Sequence, residues 1–342
     1  MEIRNQKELR RQAAAALADN PGNPRQTVLL YAVITALCGV VSSVLTMVLD
    51  ARIANTGGLG NMGLRSILTT IRQVVPLALT IGLLGLDLGY RGTALKMARR
   101  QAVQPKTLLM GYPKLGVLIR AMFLQGALYF LLMIVAVNAG SMIFMLTPFA
   151  QAVYDLVLPL AMDTDALYNA LYSDPAFLNQ MFHAMLPVFP IVLVLFLVVA
   201  APVFYRYRMV RFCLLESPGH SALAAMAESS RMTKGSRWAL VKLDLGFWWF
   251  FLGQMLCSVI LYGDVLCEKL GVALPVGGTA AYYIFYITGL ALECGLYYLA
   301  LNRVHTTYAC AYEALRPQTQ PTQGGVVLGN IFDLAKKYRD EQ

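Results

Sequence analysis

Six stretches of this chain stay apolar for about 20 residues each, and no other feature constrains the fold as strongly. A helix of that length spans the ~30 Å hydrocarbon core of a bilayer. The stretches run from Val28 to Leu49, Ile67 to Tyr90, Val117 to Phe144, Leu186 to Tyr205, Leu243 to Leu261 and Ala280 to Leu301. Lipid offers backbone N–H and C=O groups no partner, so each stretch must satisfy its own hydrogen bonds as a helix. With 58% of its 342 residues hydrophobic and 14% charged, the chain carries more apolar surface than a soluble domain of this size buries. The pattern predicts an all-α, polytopic membrane protein: six transmembrane helices with short amphipathic interfacial helices. Residues 1–316 form one membrane domain with an N-terminal interfacial helix at about 5–19, and 317–342 form a linker and a short amphipathic tail.

The links between spans set the orientation. Arg4, Lys7, Arg10, Arg11 and Arg25 precede the first span. Arg91, Lys96, Arg99, Arg100, Lys106 and Lys114 lie between the second and third without any acid. The fourth link holds Arg206, Arg208, Arg211, Arg231, Lys234 and Arg237 against Glu216 and Glu228. Met145 to Phe182, by contrast, contains Asp155, Asp163, Asp165 and Asp174 and no Lys or Arg. The positive-inside bias then puts both termini in the cytoplasm. The net charge of +9 is thereby assigned to loops that face anionic lipid heads at the inner surface, with other membrane proteins as further partners, and not to nucleic acid. The first span follows a charged segment and lacks a small-x-small cleavage site, so it is read as a retained helix.

Shorter pieces surround the spans. "NQKELRRQAAAALADNPGNP" predicts an Ala-rich helix stopped near Asn20 by Pro21 and Pro24, lying on the inner leaflet with Lys7, Arg10 and Arg11 toward phosphates. The acidic link alternates apolar and acidic residues and predicts short amphipathic helices. Pro76 and Pro202 predict kinks within their spans.

Chemistry-bearing motifs are sparse. The six cysteines and three histidines show no metal-ligand spacing, and no nucleophile elbow, phosphate loop or zinc-protease motif occurs. No catalytic, cofactor or metal residue is expected, and the chain is read as non-enzymatic. What remains are ionisable groups at membrane depth, which are costly and so invite a functional reading. Arg72 and Arg120 sit within a turn of span ends, where long side chains snorkel. Asp87 is expected at the inner end of the second span. Lys242 and Asp244 are expected at the head groups where the fifth span begins, with the acid favoured at a helix N-terminus. Glu293 lies ten residues before Arg303, or ~15 Å along a helix, which puts it near the bilayer midplane. It is either a protonated or hydrogen-bonded tie between helices or an ion, proton or substrate contact. Asp87 and Asp244 are its candidate companions.

The run "SSRMTKGSRWALVKLDLGFWW" resembles the signature of a bacterial integral-membrane family, domain-of-unknown-function 975. The match falls on Ser230, Arg231, Met232, Lys234, Gly235, Trp238, Leu243, Asp244, Leu245, Phe247 and Trp249. "KELRRQAAAALADN" is similar to the family's basic entry helix, "GYRGTALKMARRQAVQPKTLLMGY" to its first inner loop and "YACAYEAL" to its closing helix. Gly246 stands where a Ser is expected, Trp248 where a Gly is, the usual late Pro-Tyr pair is missing and the acidic link is enlarged. The resemblance implies a multi-pass protein of the bacterial cytoplasmic membrane with no established activity. Arg231, Lys234, Gly235, Trp238 and Lys242 become candidates for a signature site at the lipid interface. Two functions stay open: a structural, assembly or envelope-homeostasis role, or a small-solute or ion transporter or channel using Glu293.

Overall fold

The structure, a computed structural model, describes residues 6–56, 62–161, 163–216, 219, 221–269 and 278–316. The predicted linker and tail at 317–342 lie outside them, as does His220. Among the described residues the chain is helical without strands. It forms α1 (Gln6–Ala18), α2 (Pro24–Asn55), α3 (Met62–Ala98), a 3-10 segment (Pro105–Lys114) and α4 (Leu115–Met145). The link that follows contains α5 (Ala150–Val157), α6 (Thr164–Ser173) and α7 (Pro175–Met185). Then come α8 (Val188–Arg206), α9 (Val210–Glu216), α10 (Ala222–Met232), α11 (Arg237–Leu245), α12 (Trp248–Leu261) and α13 (Gly263–Lys269). α14 (Gly278–Leu296) passes through a π turn (Tyr297–Leu301) into α15 (Asn302–Leu315).

Five helical stretches are long and apolar enough to cross a membrane: 24–55, 62–98, 105–145, 188–216 and 280–315. No more than 17% of the most apolar window of any of them is buried, so their side chains point outward, where hydrocarbon would cover them. The predicted sixth span differs from expectation. α11 ends at Leu245, α12 begins at Trp248, and the two are bent by 59°. The 14 residues of α12 rise only about 21 Å, so this region counts as a span only as a broken pair. Asp244 is therefore the penultimate residue of α11, and the helix N-terminus expected to favour its charge is elsewhere. α3 also runs past Tyr90 to Ala98, which puts Asp87 inside the helix and not at its end. Pro76 and Pro202 both lie inside continuous helices.

The chain divides into two compact units, one built from residues up to Leu109 and from Lys242 onward, the other from Met110–Val241. In the first, α2 packs on α3, α12 on α14, and α15 on both α3 and α1. Its core gathers at one end of the long helices: Leu88, Tyr90 and Met97 of α3 and Ala309, Ala311, Tyr312 and Leu315 of α15 are buried. α1 belongs to that core. Leu9, Ala13 and Ala16 are buried, and the Arg10 guanidinium stacks over the Phe247 ring at 4.8 Å. The expected orientation of Arg10 toward lipid phosphate is thus overturned, while Lys7 and Arg11 remain exposed. Gly246, found where the family signature expects Ser, accommodates this contact, because a Cβ there would lie 1.2 Å from Arg10 Nη2. The turn between α1 and α2 is pinned by Asn23, whose side chain accepts from the Gln26 N–H while Pro24 opens the helix.

In the second unit α4 packs along α8, and α10 packs on α4 and α9. The acids of the long link have a local explanation. Asp163 accepts hydrogen bonds from the N–H groups of Asp165 and Ala166, and Asp174 from those of Ala176 and Phe177, so each caps the N-terminus of a short helix. Lys114 does the complementary work at a C-terminus, with Nζ donating to the carbonyls of Leu214 and Leu215 at 2.5 and 2.7 Å.

Candidate functional sites

The three candidate carboxylates fall in the first unit, and each has a partner. Glu293 Oε1 accepts from the Tyr297 hydroxyl at 2.7 Å, one turn along, and that hydroxyl accepts from Gln254 Nε2 of α12 at 3.0 Å. The Glu293 carboxylate thus ties α14 to α12 through a tyrosine. Asp87 pairs with Arg91 at 3.2 Å across one turn of α3. Asp244 accepts from the Tyr308 hydroxyl of α15. Aromatic rings run between the Glu293 and Asp244 anchors. Tyr297 lies 6.3 Å from Tyr31, Tyr31 stacks on Tyr90 at 4.6 Å, Tyr90 meets His305 at 5.3 Å, and His305 lies 6.5 Å from Tyr308. The Tyr90 hydroxyl donates to Asn302 Oδ1 at 2.5 Å, and Asn302 Nδ2 donates to the Pro24 carbonyl at 2.9 Å. These tyrosines and Asn302 carry the connection, and they are not evident in a reading that scores only charges at membrane depth.

Several cations of the first unit also have acid partners. Arg99 pairs with Glu313 at 2.6 Å, Arg100 with Asp19 at 3.6 Å and Arg72 with Asp50 at 2.7 Å. Acid-free in sequence, the link after α3 finds its counter-charges in the fold.

The signature residues around Lys234 are arranged differently, in the second unit. α10 ends at Met232, and Gly235, at φ +83°, turns the chain into α11. An L side chain rarely adopts that conformation, so Gly suits the turn. Met232 and Thr233 are buried and anchor it. The end of α8 is fastened to the same turn: the Arg206 carbonyl accepts from the hydroxyls of Ser229 and Thr233 at 3.0 and 3.1 Å. Arg206 Nε donates to Ser230 Oγ at 2.6 Å, which holds the guanidinium in place. The outcome is an open cleft of about 750 Å³, lined by Arg206, Ser230, Arg231, Lys234, Arg237 and Trp238 among others. Four cations thus line one cleft. None of the four has an ion-pair partner among the described residues, and no carboxylate lines the cleft. Arg237 Nε is shielded from solvent and makes no hydrogen bond, while Trp238 is 67% exposed. Lys242, the remaining signature candidate, is exposed on α11 but does not line the cleft. Met232, Leu243 and Phe247 of the same signature are core residues.

Among the described residues no cluster of three or more His, Cys, Asp or Glu side chains could hold a metal ion. Comparison with curated proteins and with solved structures returns no match. The profile of a family described as a protein of unknown function, DUF975, matches residues 1–317, and the chain belongs to that family.

Proposed function

We propose that this protein is a non-enzymatic component of the bacterial cytoplasmic membrane. In this reading both termini are cytoplasmic, and the role is structural, in assembly or in envelope homeostasis, exercised at its basic surface on anionic lipid heads and other membrane proteins. The observation that carries the reading is the use made of Glu293. Its carboxylate serves as the acceptor of a Tyr297–Gln254 chain that joins two helices, which is the work of a structural tie. The alternative, a small-solute or ion transporter or channel, draws on the same polar cluster, because ionisable groups in apolar helices also mark transport pathways.

Substitution at position 293 separates the two. Glutamine keeps an acceptor for Tyr297, whereas alanine does not. For a structural tie, Glu293→Gln unfolds near the parent's temperature in detergent, Glu293→Ala unfolds lower by about 1–2 kcal/mol of stability, and no ion distinguishes the Gln variant from the parent. Stabilisation of the parent by sodium, potassium or another small solute that disappears in Glu293→Gln would favour transport and defeat the structural reading.

A further inference from the structure

We propose that the cleft formed by Arg206, Ser230, Arg231, Lys234, Arg237 and Trp238 is a binding site for a phosphate-bearing anion, in the first instance the head group of an anionic phospholipid. The inference deepens the reading above and rests on it in one respect, that the polar end of α8 lies at the membrane surface.

Four cations held around one opening repel one another, and among the described residues no carboxylate lines the opening or forms an ion pair with any of the four. Elsewhere in this chain Arg99 and Arg100 find acids and Lys114 finds carbonyls. In the open cleft water screens these charges, and an anion that enters meets all four at once. The cluster is also built and not merely collected. Ser229 and Thr233 clamp the Arg206 carbonyl, Ser230 holds the Arg206 guanidinium, and the Gly235 turn carries the chain from α10 into α11 beside them.

Donor chemistry selects the ligand. Guanidinium groups present planar forks that match phosphate oxygens two at a time, the Lys234 ammonium adds a point charge, and the Ser230 hydroxyl is a further donor. Arg237 adds a third guanidinium to the lining. The volume of about 750 Å³ falls in the range of small-ligand sites, roughly 300–1,000 Å³, and exceeds what a bare ion needs. Location favours a lipid. Arg206 is the last residue of the apolar helix α8, and the exposed Trp238 presents an amphipathic indole of the kind enriched at head-group depth.

The test uses the full-length protein in nanodiscs of phosphatidylcholine, alone or with phosphatidylglycerol added, and follows thermal unfolding and lipid affinity. Three proteins are compared with the parent: the cleft variant Arg231→Gln/Lys234→Gln/Arg237→Gln, a variant of equal charge change at exposed cations outside the cleft, Lys7→Gln/Arg11→Gln/Lys106→Gln, and the single exposed-turn variant Lys234→Gln. Phosphatidylglycerol raises the parent's unfolding temperature. The cleft variant loses most of that rise and binds phosphatidylglycerol about tenfold more weakly or worse, the other triple variant keeps the rise, and Lys234→Gln is intermediate. Unfolding in phosphatidylcholine alone reports whether each variant is folded, and Lys234→Gln, at an exposed turn residue, serves should the triple variant fail there. Inorganic phosphate added to the phosphatidylcholine sample identifies the source. If it reproduces the rise and the cleft variant abolishes it, the site takes a free phosphate; if only the lipid does so, it takes a head group. Retention of the full rise by the cleft variant, or equal loss in both triple variants, overturns the site while leaving a diffuse basic lipid surface intact. A parent indifferent to both phosphatidylglycerol and phosphate overturns the site and the lipid reading together.

Discussion

The two units treat charge in opposite ways. In the first, four acids each pair with a cation, Asp87 with Arg91, Glu313 with Arg99, Asp19 with Arg100 and Asp50 with Arg72, while Glu293 and Asp244 accept from tyrosine hydroxyls. In the second, Arg206, Arg231, Lys234 and Arg237 share a cleft with no acid in its lining. Arg206, Arg231 and Lys234 are exposed, so water screens them where the first unit uses acids. The paired groups of the first unit contribute to its own stability. A cluster that the second unit leaves uncompensated points to a partner from outside.

The largest effect that would sharpen this contrast is expected at Asp244. Tyr308→Phe removes the hydroxyl donor to a half-buried carboxylate without changing the ring, and stability falls by about 2 kcal/mol, read as a lower unfolding temperature in detergent. A smaller loss, about 1 kcal/mol, is expected for Asp163→Ala, which removes the side-chain acceptor at the N-terminus of α6, and Asp163→Ser restores most of it. That result would show the acidic link of the second unit to be as structural as the carboxylates of the first. The smallest effect is at Arg10. Gly246→Ser, which restores the residue the family signature expects, displaces the guanidinium from the Phe247 ring and costs at most about 1 kcal/mol. A stabilised Gly246→Ser protein would show that the ring contact contributes nothing.

Much of this was legible in the sequence, and the part that was not has physical reasons. Five of the spans and the short helices of the acidic link follow from apolar run length and alternation. Hydropathy could not show α3 continuing to Ala98 or α15 to Leu315, because those extensions are amphipathic and are buried against α1 and one another. Nor could it show the break at Gly246–Phe247, where every residue from Phe247 to Leu252 is apolar but the backbone bends. Ion pairing is non-local. Arg99 and Glu313 are separated by most of the chain, so a link that looks purely basic is partly neutral in the fold. For the same reason Arg206 was visible only as one loop cation, since its place beside Ser230 depends on α8 meeting α10.

The central claim, that the carboxylates hold the fold while the cleft cations hold a ligand, is tested most directly by one paired measurement. It is the rise in unfolding temperature on adding phosphatidylglycerol to phosphatidylcholine nanodiscs, for Glu293→Gln and for Arg231→Gln/Lys234→Gln/Arg237→Gln side by side. The account predicts a rise equal to the parent's in the first protein and little or none in the second. A rise lost in Glu293→Gln and kept in the cleft variant would contradict it.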